Sequence, residues 1–289
     1  MQLIDLHMHS TCSDGTDTPS ELVKLALEKD LVAISVTDHD TVSGVAEAMK
    51  AAEGKPIEVI PGVEISCEYV VPPMAGQPSR KKEIHILGYG MDINNAELLD
   101  VLNFASTERD NRNKKMAANF YDAGYTMITY EKLVERFGKV NIARPHFATL
   151  LMEAGVVGSI KAAFADGQLL AENSPLYVHR KYVSPEQGIK AILSAGGKPV
   201  LAHPIIYKFS VSELHRMIGE LIGFGLQGIE ALYSRNKGTD EAFVRKLAHE
   251  FNLFITGGTD FHGKNKPDLE IGWGEGDLRV PAMLLSNLR

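Results

Sequence analysis

Short apolar runs recur along the chain, separated by segments whose apolar residues return every three or four positions. The first run, residues 3–7, reads as a strand, whose side chains alternate between two faces. Asp5, His7 and His9 then point one way, and Ile4, Leu6 and Met8 the other. Thr18-Pro19-Ser20-Glu21 marks a helix start, with Thr18 at the N-cap, Pro19 at the first helical position and Glu21 closing a capping box. This helix runs to about residue 30, with Leu22, Leu25 and Ala26 on its apolar stripe. Residues 31–37 are nearly all apolar, as in a strand buried on both faces. A short helix over 45–52 stops at Gly54, and strands follow at 57–65 and 83–89. The polar stretch 72–82 between them is a loop or hairpin excursion.

Alternation lapses between about residues 94 and 182. The pattern there is helical: one long helix over 95–120 ending at Gly124, then shorter ones over 130–137, 145–153 and 159–165. Glu108, Arg109, Asp110, Arg112, Lys114 and Lys115 are most simply a solvated helix face. Alternation resumes at Ser184-Pro185-Glu186-Gln187, a second capping box. Strands at 199–203, 227–233 and 253–258 are separated by helices spanning 213–223 and 241–250. Seven strands, six followed by a helix or by the helical stretch, imply a parallel sheet. The number suggests a closed or nearly closed barrel. The expected organisation is an α/β barrel domain over 1–93 and 183–289, holding an inserted helical subdomain over 94–182.

With 289 residues, 44% hydrophobic, the chain is long enough for such a core. A net charge of −7 argues against a broad surface for duplex DNA, though not against a small anionic substrate beside bound cations. The two cysteines, Cys12 and Cys67, make no disulfide framework and fit reduced thiols in the cytoplasm. The N-terminal stretch does not read as a signal peptide. No apolar run reaches the length of a membrane span.

The chemistry gathers at strand ends. His7 and His9 follow the first strand, with Asp14 just beyond; Asp38, His39 and Asp40 follow the second. Glu64 ends the third, His85 sits in the fourth, His203 ends the fifth, and Asp260 and His262 follow the seventh. In a (β/α) barrel the C-terminal strand ends share the face where active sites form. Taken singly, Asp14-Gly15 fits a turn, Asp38 or Asp40 a helix cap, and His203 a hydrogen-bonded core histidine. Together, six of the ten histidines fall within or at the ends of expected strands, which coincidence does not supply. Imidazole plus carboxylate without thiolate suits Zn, Mn or Fe. The set is large enough for two or three divalent ions with open positions.

Asp5-Leu6-His7-Met8-His9-Ser10, Thr37-Asp38-His39, Gly62-Val63-Glu64, His85, His203-Pro204 and Gly258-Thr259-Asp260-Phe261-His262 resemble the motifs of the PHP (polymerase and histidinol phosphatase) family, within the amidohydrolase-like metal hydrolases. The resemblance implies a distorted seven-stranded (β/α) barrel with a helical insertion and a trinuclear site, manganese being the first choice of metal. By that pattern His7, His9, Glu64 and Asp260 hold one ion, and Glu64 bridges to a second held by His85 and His203. Asp14, His39 and His262 hold a third, with Asp14 where some members use histidine. Asp260, His262 and His203 are the candidates for proton handling.

The insertion bears on substrate. Pro145 opens a helix, so Arg144 and His146 flank a helix N-terminus, where free N–H groups and the dipole favour an anion. Arg144 adds bidentate phosphate recognition. Tyr177, His179, Arg180 and Lys181 bring further donors. The alternatives are an Arg144–carboxylate pair and a solvated loop at 179–181. The whole chain resembles the branch that uses a metal-activated hydroxide to remove the 3′-phosphate from nucleoside 3′,5′-bisphosphates, pAp giving AMP. Arg144, His146, Lys181, Tyr177 and Asp14 are then the candidate substrate contacts. The alternatives are a 5′-to-3′ exonuclease on short 5′-phosphorylated RNA, a phosphatase of the histidinol phosphate type, and a non-catalytic metal-stabilised module. The expected partner is a small nucleotide or an RNA 5′ end, with no membrane.

Overall fold

The computed structural model describes residues 2–73, 78–138 and 141–289. Its first sheet is parallel, in the order β1 (Leu3–Met8), β2 (Leu31–Val36), β3 (Glu58–Val59), connected by α1 (Pro19–Glu28) and α2 (Val45–Ala52). α1 starts where its capping box places it. Thr18 Oγ1 accepts the Glu21 N–H at 3.2 Å, and Glu21 Oε2 accepts the Thr18 N–H at 2.7 Å. Leu22, Val23 and Ala26 of α1 are fully buried and share one core with Ile34 and Val36 of β2.

The second sheet runs β4 (Gly62–Val71), β5 (Arg80–Tyr89), β6 (Lys198–Leu201), β7 (Gly228–Tyr233), β8 (Phe254–Gly258). β5 is antiparallel to both β4 and β6, whereas β6, β7 and β8 are parallel. Helices α7 (Pro185–Ser194), α8 (Val211–Phe224) and α9 (Asp240–Glu250) lie in sequence between its later strands. The Ser184 capping box on α7 is formed through Gln187.

Among the described residues there are eight strands in two sheets, against the expected seven in one barrel. The stretch 57–65 is divided at Pro61, whose missing N–H cannot join a ladder. The stretch 72–82 contributes strand as well as loop, because Arg80, Lys81 and Lys82 pair with Val71, Val70 and Tyr69. Residues 74–77 of that stretch lie outside the described residues. Short backbone bridges join the two sheets. At one seam the Asp40 N–H donates to Glu64 O at 2.9 Å and the Glu64 N–H to Asp38 O at 3.2 Å. At the other, the His9 N–H donates to Phe261 O at 2.9 Å and the Asp260 N–H to His7 O at 2.7 Å.

The chain divides into two compact units, Met1–Asn103 with Tyr182–Arg289, and Phe104–Lys181. The boundary falls inside α3 (Ala96–Asp122). The second unit also holds α4 (Tyr130–Phe137), α5 (Arg144–Glu153) and α6 (Ile160–Ala163), around a core of its own that includes Met116, Phe120, Leu133, Phe147 and Leu151. The charged face expected on α3 is only partly solvated. Arg109 and Arg112 are buried, and Arg112 Nε donates to Asn113 Oδ1 at 2.9 Å, whereas Lys114 pairs with Asp110 at 2.7 Å in the open. A buried guanidinium can remain where planar hydrogen bonds satisfy it. Among the described residues, no helix is long and apolar enough to cross a membrane.

Candidate metal centre

The exits of β1, β2, β6 and β8 deliver His7 and His9, His39, His203, and Asp260 and His262, while β4 and β5 carry Glu64 and His85. Glu64 is the hub. Its Oε1 lies 2.9 Å from His85 Nδ1, 2.9 Å from His203 Nε2 and 3.4 Å from His7 Nε2. Its Oε2 lies 3.0 Å from His39 Nδ1 and 3.2 Å from His9 Nε2. Asp260 Oδ1 lies 3.4 Å from His9 Nε2 and 3.4 Å from His262 Nδ1. Asp14 Oδ1 lies 3.3 Å from His262 Nε2 and 3.9 Å from His39 Nε2.

Four overlapping sets have ligand atoms mutually within 4.8 Å: His9, Asp14, His39 and His262; His7, Glu64 and His203; His7, His9 and Asp260; and His39, Glu64 and His85. All nine residues expected as ligands therefore fall in one cluster, with His85 grouped beside His39 rather than His203. Asp38 and Asp40 stay out of it. Asp38 accepts from Ser10 N–H (2.7 Å), Ser10 Oγ (2.6 Å) and Ser13 Oγ (2.6 Å), and Asp40 Oδ1 accepts the Ser66 N–H at 2.8 Å. They brace the loops that present the candidate ligands.

Burial works against every charge here, and the neighbours decide the outcome. Glu64 is desolvated, yet His85, His39 and His7 hold its carboxyl well below the usual range. Asp260 is likewise lowered, by Lys266, His262 and His7, and Asp14 by His262 and His39. Burial would lower His9 and His85, but the adjoining carboxylates raise them to about 9 and about 10. For His39 burial prevails, pushing it down to about 3. Ionised carboxylates sharing a buried pocket with imidazoles form a donor set that a divalent cation can take over by replacing protons.

Backbone strain marks the same place. His203 has φ of 25° and Asp260 of 55°, in the left-handed region that costs a non-glycine residue about 1–3 kcal/mol. Gly258 is required because a Cβ there would stand 2.4 Å from His7 N. Asp5, which shares a face with His7 and His9 by strand alternation, turns to structural use. It accepts Thr259 N–H (2.9 Å), Thr259 Oγ1 (2.6 Å), Gly272 N–H (2.8 Å) and His7 N–H (3.3 Å). Tyr207 accepts the His85 N–H at 2.8 Å and donates to Ala202 O at 2.9 Å.

Tyr207 escaped the sequence reading, as did three further residues at the centre. Tyr233 Oη and Lys266 Nζ reach Asp260 Oδ2 at 2.9 and 2.5 Å, and Glu230 lies behind His7. Glu230 had a signal: a lone carboxylate inside the apolar strand Gly228–Tyr233 must be paired if buried. In the helical unit, the Arg144 guanidinium lies 5.3 Å from the Tyr177 ring centroid and 5.7 Å from that of Phe164. His146 is buried and its Nδ1 accepts the Ala143 N–H at 2.9 Å, closing the start of α5. His179 packs edge-on to Tyr177, Arg180 donates to Ala105 O at 3.3 Å, and Lys181 is exposed.

The residues fit divalent ions. Nε2 of His7 and of His9, Nδ1 of His203, Oδ1 of Asp14 and Oε2 of Glu64 are buried and make no hydrogen bond. Buried polar atoms are normally paired, and five such atoms in one imidazole–carboxylate cluster are what cation ligands look like. Chelation is expected to lower the melting temperature. Above Kd, each tenfold rise in free Mn²⁺ should add about 1.4 kcal/mol of stability per ion. Thermal unfolding indifferent to both treatments would remove the cation from this cluster.

Comparison with known proteins places this geometry in a lineage. The family model described as PHP domain matches residues 5–190. The chain is 30% identical over 272 residues to the 5′-3′ exoribonuclease Rnm of Escherichia coli (strain K12), covering 93% of this chain and 88% of that protein. It is 30% identical over 275 residues to the 3′,5′-nucleoside bisphosphate phosphatase of Chromobacterium violaceum, covering 95% and 92%. A crystal structure from Bifidobacterium adolescentis, described by assignment as a metal-dependent phosphoesterase, has a TM-score of 0.81 at 29% identity, covering 99% of this chain and 95% of that one. The chain belongs to the PHP domain family of metal-dependent phosphoesterases.

Proposed function

We propose that this phosphoesterase removes the 3′-phosphate from nucleoside 3′,5′-bisphosphates, with pAp to AMP as the reference reaction. The observation that carries the hydrolytic chemistry is the meeting of five imidazoles on the one buried carboxylate of Glu64. The substrate class follows the Chromobacterium relative, which aligns over nearly the whole of both chains. The assignment of ligands is His7, His9, Glu64 and Asp260 to one ion, Glu64, His85 and His203 to a second, and Asp14, His39 and His262 to a third, with manganese as the metal. When bound, such ions lower the pKa of a coordinated water and neutralise charge on the phosphoryl oxygens.

The chain's own residues supply orientation and proton handling. Asp260 turns Oδ1 to the imidazoles while Tyr233 and Lys266 hold Oδ2, which fixes the carboxylate plane. With His203 and His262 it is assigned the transfer of protons, and Asp14, itself in the cluster, is assigned a contact with the substrate as well. Arg144, His146, Tyr177 and Lys181 are assigned to the second phosphate. Arg144→Ala should raise KM for a 3′,5′-bisphosphate about 10- to 100-fold, the worth of a charged hydrogen bond, and leave a nucleoside 3′-monophosphate nearly unaffected. Equal effects on the two substrates would refute the assignment.

A second reading has its own support, since the exoribonuclease from Escherichia coli is equally similar. The deciding experiment incubates Mn-loaded protein with pAp and resolves the products by chromatography. Conversion to AMP with AMP spared supports the 3′-phosphatase. Inertness toward pAp, with stepwise release of mononucleotides from a 5′-phosphorylated oligoribonucleotide, moves the function to 5′-to-3′ RNA trimming.

A further inference from the structure

We propose that Glu230 is a positioning residue of the centre, setting two candidate ligands, His7 in β1 and His203 just after β6, with a single carboxylate. Glu230 is fully buried in the middle of β7. Its Oε1 lies 2.9 Å from His7 Nδ1, and its Oε2 accepts the His203 backbone N–H at 2.9 Å. A carboxylate is an acceptor, so His7 donates from Nδ1 and presents a bare Nε2 to Glu64 and Asp260, 3.4 and 3.7 Å away. A carboxylate behind a ligating imidazole fixes its tautomer and ring plane and raises its basicity. The second bond acts on the backbone. His203 stands in the left-handed region just after β6, and the Glu230 bond secures its amide while Nε2 reaches Glu64 at 2.9 Å.

Glutamine cannot replace this pair of bonds. With its carbonyl on His203, its amide confronts His7 Nδ1 donor to donor and turns the imidazole to the tautomer with a proton on Nε2. With its carbonyl on His7, its amide opposes the His203 N–H. Either way one ligand is lost to the ion while the side-chain volume is kept.

This inference rests on the reading of His7 and His203 as ligands, so the test carries a control for that reading. Metal-free wild type, Glu230→Gln and His7→Ala are titrated with Zn²⁺ by calorimetry. Nitrogen-15 spectra of histidine-labelled, Zn-loaded protein report which His7 nitrogen carries the proton. Glu230→Gln is expected to weaken the tightest Zn²⁺ site about 10- to 100-fold, and wild-type His7 to be protonated on Nδ1. Wild-type Zn²⁺ affinity in Glu230→Gln, with only a lower melting temperature, would overturn the proposal and leave the ligand reading standing if His7→Ala still weakens binding. Unchanged affinity in His7→Ala would overturn both. If Glu230→Gln does not fold, the wild-type spectrum decides: a His7 Nδ1 without a proton overturns the proposal.

Discussion

Glu64→Ala is expected to lose metal and turnover together, with kcat/KM falling about 10³-fold or more, roughly 4 kcal/mol of transition-state stabilisation. Each of its oxygens faces at least two imidazoles, Oε1 at 2.9 Å from His85 and His203 and Oε2 at 3.0 Å from His39 and 3.2 Å from His9. The carboxylate is also held ionised by those neighbours against the cost of burial. Removing it would withdraw the carboxylate on which five imidazoles meet and one of the negative charges of the cluster in one step. His7→Ala and Asp260→Ala should act in the same direction through single ions. Metal content, circular dichroism and steady-state rates are measured on the same preparation. A folded, metal-replete Glu64→Ala enzyme with wild-type kcat/KM would remove Glu64 from the ligands.

Asp5→Ala is expected to destabilise the fold by about 3–5 kcal/mol, because it strands several buried donors at once. Thr259 contributes two of them and Gly272 a third, all within 2.9 Å, and His7 N–H adds a longer contact. The seam between β1 and the segment after β8 depends on this side chain. Denaturant unfolding should show the midpoint falling with an unchanged m-value. A loss below about 1 kcal/mol, no more than one ordinary hydrogen bond, would mean that the backbone bridges hold the seam alone.

Which residues meet at the centre was legible because strand ends are legible. His7, His9, His203, Asp260 and His262 each follow an apolar run, and the runs had to lie side by side. Strand direction was not legible: nothing in the period-two pattern of β4 and β5 distinguishes an antiparallel pair from a parallel crossover. Pro61 was visible, but the flanking apolar residues outweighed it, so one strand was expected where two exist. The supporting carboxylates were harder still. Asp5 and Asp38 carry ligand chemistry in ligand positions, and only their hydrogen-bond partners reveal them as braces. His146 shows the same limit, since a histidine three residues into a helix can serve the helix as its cap. The helical unit was readable as helices, whereas the partial burial of its charged face depended on contacts that no periodicity records.

The bond from Thr259 to Asp5 joins residues 254 apart in sequence. During synthesis β1 leaves the ribosome with His7 and His9 well before Asp260 and His262 are made. The intervening helical unit has its own core and can condense in the meantime, as units of larger proteins generally do. The early imidazoles meet Glu64, made soon after them, but Asp260 only some 250 residues later. The part of the cluster that joins His7 and His9 to Asp260 can close only after that residue has been made, whereas the groups of Glu64 with His7 and His203, and with His39 and His85, involve no residue beyond 203.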